Sequence, residues 1–216
     1  KSFSKNSIDF LVGYTFENQA NTYFNGYRQD FPSNDYTVIG MGGADNQRVG
    51  GFDAEWAIQS LFTRVKFNHD EKYLFETTFR YDGSSRFPED NKYALFPSMA
   101  IGWRLSNEDF LKNSSWLSDL KLKASWGVLG NQNIGNYPYQ TVLESGRNYP
   151  LGGGISTGAA YSVFRDPNIK WESTETTDVG VESSFLQGKL SFNATYFKRK
   201  TTDILYQPTA SVSSVL

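Results

Sequence analysis

Residues Tyr73–Gly102 read YLFETTFRYDGSSRFPEDNKYALFPSMAIG, and the fold turns on this stretch. Its first run puts Tyr73, Phe75, Thr77, Phe79 and Tyr81 on one side, with Glu76, Thr78, Arg80 and Asp82 on the other. Successive side chains of a strand point to opposite faces, so this is a strand with one aromatic face and one polar face. The second run sets Leu95, Pro97, Met99, Ile101 and Trp103 against Ser98, Ala100, Gly102 and Arg104. The turn-rich segment from Asp82 to Lys92 joins the two as a hairpin. Such a hairpin suits a soluble sheet with one buried side, or the wall of a membrane barrel with a polar lumen.

Composition narrows the field. Of the 216 residues 16% are aromatic, with 13 Tyr and 17 Phe, while all hydrophobic residues together reach only 38%, a mixture that suits strands better than helices. A net charge of −2, with Lys and Arg interleaved among Asp and Glu, gives no electrostatic case for a nucleic-acid partner. The chain has no cysteine, which removes disulfides and thiolate metal sites. No apolar run approaches the ~20 residues of a membrane-spanning helix, whereas the alternating strands of a barrel need no such run.

Outward from the hairpin the alternation recurs. Ile8, Phe10, Val12, Tyr14 and Phe16 form the apolar face of a strand at Ser7 to Phe16, with Asp9, Gly13 and Thr15 opposite. A long polar loop is expected from Glu17 to about Glu55, then a strand from Trp56 to Asn68 and a short turn through His69 and Asp70. After the hairpin, Ser106 or Asn107 is placed to cap one helical turn carrying Phe110 and Leu111. Leu120, Leu122, Ala124 and Trp126 mark a fifth strand, and the largest loop is expected from Gly127 to about Lys170. A strand from Trp171 to Phe185 and one from Lys189 to Lys200 are separated only by Leu186-Gln187-Gly188.

In an up-and-down meander alternate connections lie at opposite ends, so nearly all the loop mass collects at one end. Outer-membrane barrels have that asymmetry, with tight periplasmic turns and long external loops. The strands also reach the ~9–11 residues that cross a bilayer at a tilt, against about 5–6 in soluble sheets. Tyr14, Phe16, Trp56, Tyr73, Tyr81, Trp103, Trp126 and Trp171 stand near expected strand ends, where interfacial girdles belong. The expected fold is therefore all-β: an antiparallel up-and-down meander of about seven strands, part of a transmembrane β-barrel with long extracellular loops.

The segments EKYLFETTFRYDGSSRF, LFPSMAIGWRLSNEDF, LKLKASWGVLGNQNIGNY, IKWESTETTDVGVE and LSFNATYFKRKTTDIL resemble the barrel domain of SusC/RagA-type TonB-linked outer membrane proteins of Bacteroidetes. Tyr81 to Phe87, Phe96-Pro97-Ser98 and Gly130-Asn131-Gln132 carry the resemblance most specifically, and it runs in order from about Leu61 to Leu205. It implies a segment of a TonB-dependent importer of glycans or peptides in the cell outer membrane. The implied barrel has about 22 strands around a plug. The implied partners are a SusD-like surface lipoprotein, the TonB complex and outer-membrane lipid. Residues 1–216 show no plug, TonB box, signal sequence or closing strand, so they read as part of that barrel domain and transport nothing alone. A soluble all-β module that binds carbohydrate or peptide is the alternative.

Enzymatic readings fare poorly, and no cofactor is implied. His69 is the only histidine and sits in a polar turn, without placed partners for metal binding or general-base work. Glu172 and Asp178 share a face but Glu175 does not, which weakens a two-carboxylate glycosidase. Gly152-Gly153-Gly154 lacks the Lys-Ser or Lys-Thr of a phosphate loop. Asp82-Gly83 reads first as a turn, and Arg80, Asp82 and Arg86 as structural residues pairing across strands. The candidate contacts are loop aromatics, namely Tyr23, Tyr27, Tyr137, Tyr139, Tyr149 and Tyr161, with Arg28 and Arg147 as polar partners. Each suits ligand stacking, loop packing or docking of the lipoprotein.

Overall fold

The hairpin forms as its alternation requires. In the computed structural model, which describes residues 2–3, 5–141, 143–161 and 166–206, the two runs pair from Tyr73↔Trp103 to Gly83↔Tyr93. Among the described residues twelve strands occur in chain order. They are β1 (Ser2–Phe3), β2 (Asn6–Tyr27), β3 (Arg48–His69), β4 (Tyr73–Ser84), β5 (Tyr93–Arg104), β6 (Leu117–Asn131), β7 (Leu143–Ser145), β8 (Tyr149–Leu151), β9 (Gly154–Ser156), β10 (Ala159–Tyr161), β11 (Glu172–Phe185) and β12 (Leu190–Thr202). An 8-stranded antiparallel sheet takes the order β1-β2-β3-β4-β5-β6-β11-β12, a meander that curves into a half-barrel.

One register row crosses all the long strands: Ile8↔Phe67↔Phe75↔Ile101↔Ala124↔Val179↔Tyr196. The adjacent row reads Asp9↔Lys66↔Glu76↔Ala100↔Ser125↔Asp178. The first row is apolar and the second polar, and the pleat puts them on opposite faces. On the polar, inner face Lys66 pairs with Glu76 at 3.4 Å, and Lys121 and Lys123 both reach Glu182. On the outer face no second layer among the described residues covers the large side chains: Phe79 is 48% and Ile101 57% exposed. A sandwich core would have buried them, so the soluble alternative loses its core.

Two aromatic belts bound the outer face. At the short-turn end Tyr73 stacks on Trp103 with centroids 6.4 Å apart. Both donate to Glu108 Oε1, the Tyr73 hydroxyl at 2.8 Å and the Trp103 indole N–H at 3.0 Å. Towards the long-loop end Tyr81 stacks on Tyr93 at 5.3 Å, and Gln59 joins Tyr93 to Tyr14 by hydrogen bonds. Gly83 is required here, because the Tyr93 ring lies 2.2 Å from where its Cβ would stand. Tyr73 and Tyr81 are eight positions apart, about 26 Å along the strand. At a barrel's usual tilt that spans roughly 20 Å of height, close to the ~25 Å apolar band of such walls.

Several expectations are corrected. The ladder of β2 and β3 does not stop at Phe16 and Trp56 but continues to Tyr27↔Arg48, leaving only residues 28–47 as loop. Above the membrane neither face of this ribbon need be apolar, so its strand character leaves no hydrophobic alternation. Trp56 pairs with Gln19 on the inner face, and Trp171 is buried, so neither belongs to a girdle. Asp82 and Gly83 stay in β4 instead of turning. Ser106 and Asn107 cap nothing: they lie inside the 3-10 turn Leu105–Asn107, donating to Asp119 and to the Glu71 carbonyl. The largest loop begins after Asn131 and holds two small sheets, β7 with β10 and β8 with β9. Gly152 and Gly153, both at positive φ, form the two-residue turn between β8 and β9.

The Trp103 indole first, then the Tyr73 hydroxyl and the Lys72 ammonium, hold the Glu108 carboxyl below its usual range, with burial opposing. A depressed folded-state value contributes stability that is fully present above the unfolded value near 4.5 and lost as pH falls through the lower folded value. The Trp103 fluorescence of the receptor should therefore hold steady from neutrality to about pH 5 and change only in stronger acid. Glu108→Gln should abolish that acid transition.

Candidate functional site

The Tyr81 to Phe87 segment builds the long-loop rim. The Asp82 carboxylate, almost wholly buried, accepts from Arg80 Nε at 2.8 Å, and Arg80 Nη2 donates to Ser60 Oγ at 2.7 Å. Ser84 Oγ accepts the Arg86 N–H at 3.1 Å. The Ser85 N–H donates to the Ala57 carbonyl and Ser85 Oγ accepts from the Ala57 N–H, each at 2.9 Å, which extends the β3–β4 pairing one step. Arg86 then crosses to the long connection. Its Nη1 donates to the Gln132 carbonyl and its Nε to Asn136 Oδ1, both at 3.1 Å, while its guanidinium lies 4.6 Å from the Trp56 ring centroid.

Next to Arg86 in sequence, Phe87 joins Phe96 and Trp171 in a buried core cluster among the described residues. Trp171 stands 4.9 Å from Phe87 and 5.3 Å, edge-on, from Phe96. Its indole N–H donates to the Lys92 carbonyl at 3.0 Å. Asn91 Nδ2 donates to the carbonyls of Asn168 and Ile169. The Phe96 ring occupies the space a Cβ at Gly130 would need, 2.1 Å away. Asn131 Nδ2 and the Leu205 N–H donate to Glu172, at 3.0 and 2.9 Å. The hairpin tip, both ends of the long connection and the segment after β12 are thus tied into one knot. Arg86 takes the structural role expected of it, whereas the meeting of Phe87 with Trp171 was not legible in the sequence.

The candidate contact residues fall in separate places. Tyr23 on β2 packs on Phe52 at 5.3 Å. Tyr27 ends β2 and donates to Gln29. The Arg28 guanidinium is spent inside its own loop, on the carbonyls of Gly40 and Gly42 and on Gln47. Tyr137 and Tyr139 meet edge-on at 6.2 Å, and Tyr137 takes φ 52°. The Arg147 N–H donates to the Gly158 carbonyl, Tyr149 opens β8, and Tyr161 pairs with Leu143. They form two groups, one on the β2–β3 ribbon and one on the 132–171 connection, and three hollows along the sheet are lined by none of them. A hollow on the inner face is lined instead by Asp9, Lys66, Glu76, Lys121, Lys123 and Asp178.

The enzymatic candidates are occupied otherwise. Glu175 accepts the Trp126 indole N–H at 2.7 Å, Asp178 accepts from Ser125 Oγ at 3.2 Å, and His69 Nδ1 meets Asn6 Oδ1 at 2.6 Å. Among the described residues no cluster of three His, Asp or Glu is arranged to hold a metal.

A one-sheet wall with a polar concave face, two aromatic belts and loops at one end is built as an arc of a transmembrane β-barrel. The family described as "TonB dependent receptor-like, beta-barrel" matches residues 2–215, and the chain belongs to it. It is 34% identical over 209 residues to TonB-dependent receptor SusC of Bacteroides thetaiotaomicron, covering 95% of this chain and 20% of that one. With TonB-dependent receptor P3 of Formosa agariphila identity is 33% over 208 residues, covering 95% of this chain and 21% of the relative. The RagAB peptide transporter structure superposes with a TM-score of 0.87 at 27% identity, over 99% of this chain and 24% of that one. The SusC/RagA resemblance is borne out, and the chain spans about a fifth of the length of the relatives it matches.

Replacing a buried Trp by Ala costs about 3–5 kcal/mol. Trp171→Ala in the full-length receptor should therefore leave the sheet intact but release the 132–171 connection, read as faster protease cleavage there. Arg86→Ala should do the same more weakly, and Arg86→Lys should not rescue it, because one ammonium cannot reproduce the forked contacts.

Proposed function

We propose that residues 1–216 are a wall-and-mouth segment of the barrel of an energised outer-membrane importer of glycans or peptides. The supporting observation is the pair of facing rows, apolar outside and charged inside, in a sheet open at both edges. Among the described residues β12 pairs only with β11, and β2 beyond Ser7 only with β3. In hydrocarbon each unsatisfied backbone group costs several kcal/mol, so such edges call for further strands that close a larger barrel. The plug that occupies the lumen and the TonB-contacting region belong to the remainder of the receptor.

In this reading substrate is captured at the mouth between the barrel loops and a SusD-like lipoprotein, and plug rearrangement pulled by TonB then admits it. A peptide cargo is named for the RagAB structures. The Tyr23–Tyr27 ribbon and the Tyr137–Tyr161 connection supply candidate contacts, the knot around Trp171 gives the second group a fixed base, and the charged inner face borders the path.

In the full-length receptor Ile101→Arg places a charge in the middle of the outer row, where it costs about 2–4 kcal/mol. It should cut the folded, membrane-inserted fraction sharply, read by heat-modifiable gel mobility. Ala100→Ser, on the inner face, should leave it unchanged. A variant that stays folded and soluble without detergent would contradict the reading.

A further inference from the structure

The short-turn end of the sheet carries apolar surface that the wall itself does not use. Trp116 stacks on Phe185, with centroids 5.8 Å apart and planes within 4°, yet remains 58% exposed. Phe185 shares the outward parity of Val179 and Val181 and pairs with Leu190, so Trp116 extends the outer face past the end of β11. Phe110 is 72% exposed in the same connection. Its turn is closed by the N–H groups of Leu111 and Lys112 donating to the Glu108 carbonyl. The Glu108 side chain in turn holds that turn against Tyr73 and Trp103 of the lower belt. Three of the charges nearby are paired, Lys72 with Glu108, Arg104 with Asp119 and Lys5 with Asp70. The large apolar side chains left exposed in this connection are aromatic, Phe110 and Trp116.

From this placement we infer that residues 105–117 form a foot lying in the inner leaflet, with Phe110 and Trp116 seated in its headgroup–acyl boundary. The inference rests on the reading of the sheet as a membrane wall. Lipid, and not a protein partner, is the occupant because Trp116 stacks on Phe185 at the end of the outer face and the Phe110 turn is tied through Glu108 to Tyr73 and Trp103 of the lower belt. A Trp or Phe ring at that depth buries its body in acyl chains while its edge meets the wet interface. Glu108 acts as the strut that sets the height of the foot, by accepting from Trp103 and Tyr73 at once.

The test uses the full-length receptor in vesicles of phosphatidylethanolamine and phosphatidylglycerol, with or without acyl chains brominated near the glycerol end. The emission of position 116 is the difference between the parent and Trp116→Phe, and that of position 110 the difference between Phe110→Trp and the parent. Both substitutions keep an aromatic ring. Bromine quenches only near contact and the boundary is about 5–10 Å deep, so both differences should lose roughly half or more of their intensity in brominated vesicles. If Trp103, measured through Trp103→Phe, is quenched while positions 110 and 116 are not, the foot is overturned and the wall stands. If none of the three is quenched, both fall.

Discussion

The antiparallel register that carries one row from Ile8 to Tyr196, and that shifts where β11 leaves β6 between Ser184 and Phe185, is the constraint on which everything else depends. A slip of one residue in any strand would carry its whole apolar set to the inner face and its charges into lipid. The register survives because both ends of the sheet are pinned. At one end tight turns at 70–72 and 186–188 use left-handed backbone at Asp70, Glu71, Leu186, Gln187 and Gly188. At the other, Ser85 closes β4 onto Ala57 and Gly130 receives the Phe96 ring.

The wall was legible in the sequence because lipid on one side and water on the other force a period of two. Where that contrast ends, legibility ends with it. The ribbon of 17–27 and 48–57 stands clear of the membrane, so its Asn, Gln and Gly read as loop although the chain stays extended. Trp56 was decipherable in principle: it stands an odd number of positions from Leu61, which puts it on the opposite face. Its place near a strand end outweighed its parity. Trp171 was not decipherable, since its partners Phe87, Lys92 and Phe96 lie far along the chain and no local pattern encodes their meeting.

The most specific residues of the family resemblance turn out to be joinery. Asp82, Ser84, Ser85, Arg86, Phe87, Phe96 and Gly130 connect the hairpin to its neighbours or to the loops above. They fix the base of the long connection that carries Tyr137, Tyr139, Tyr149 and Tyr161. Counting aromatic and basic loop residues found Arg28 as a candidate contact, yet its guanidinium organises its own loop. Composition reveals where such side chains occur, not whether they are already spent.

Whether this sheet is an arc of a closed, lipid-embedded barrel is decided by a structure of the full-length receptor in a lipid nanodisc. There β2 and β12 should each pair along their open edges with further strands of the same chain, and the row from Ile8 to Tyr196 should face acyl chains. An unpaired β2 or β12 edge, or a second protein layer packed over that row, would contradict the closed barrel.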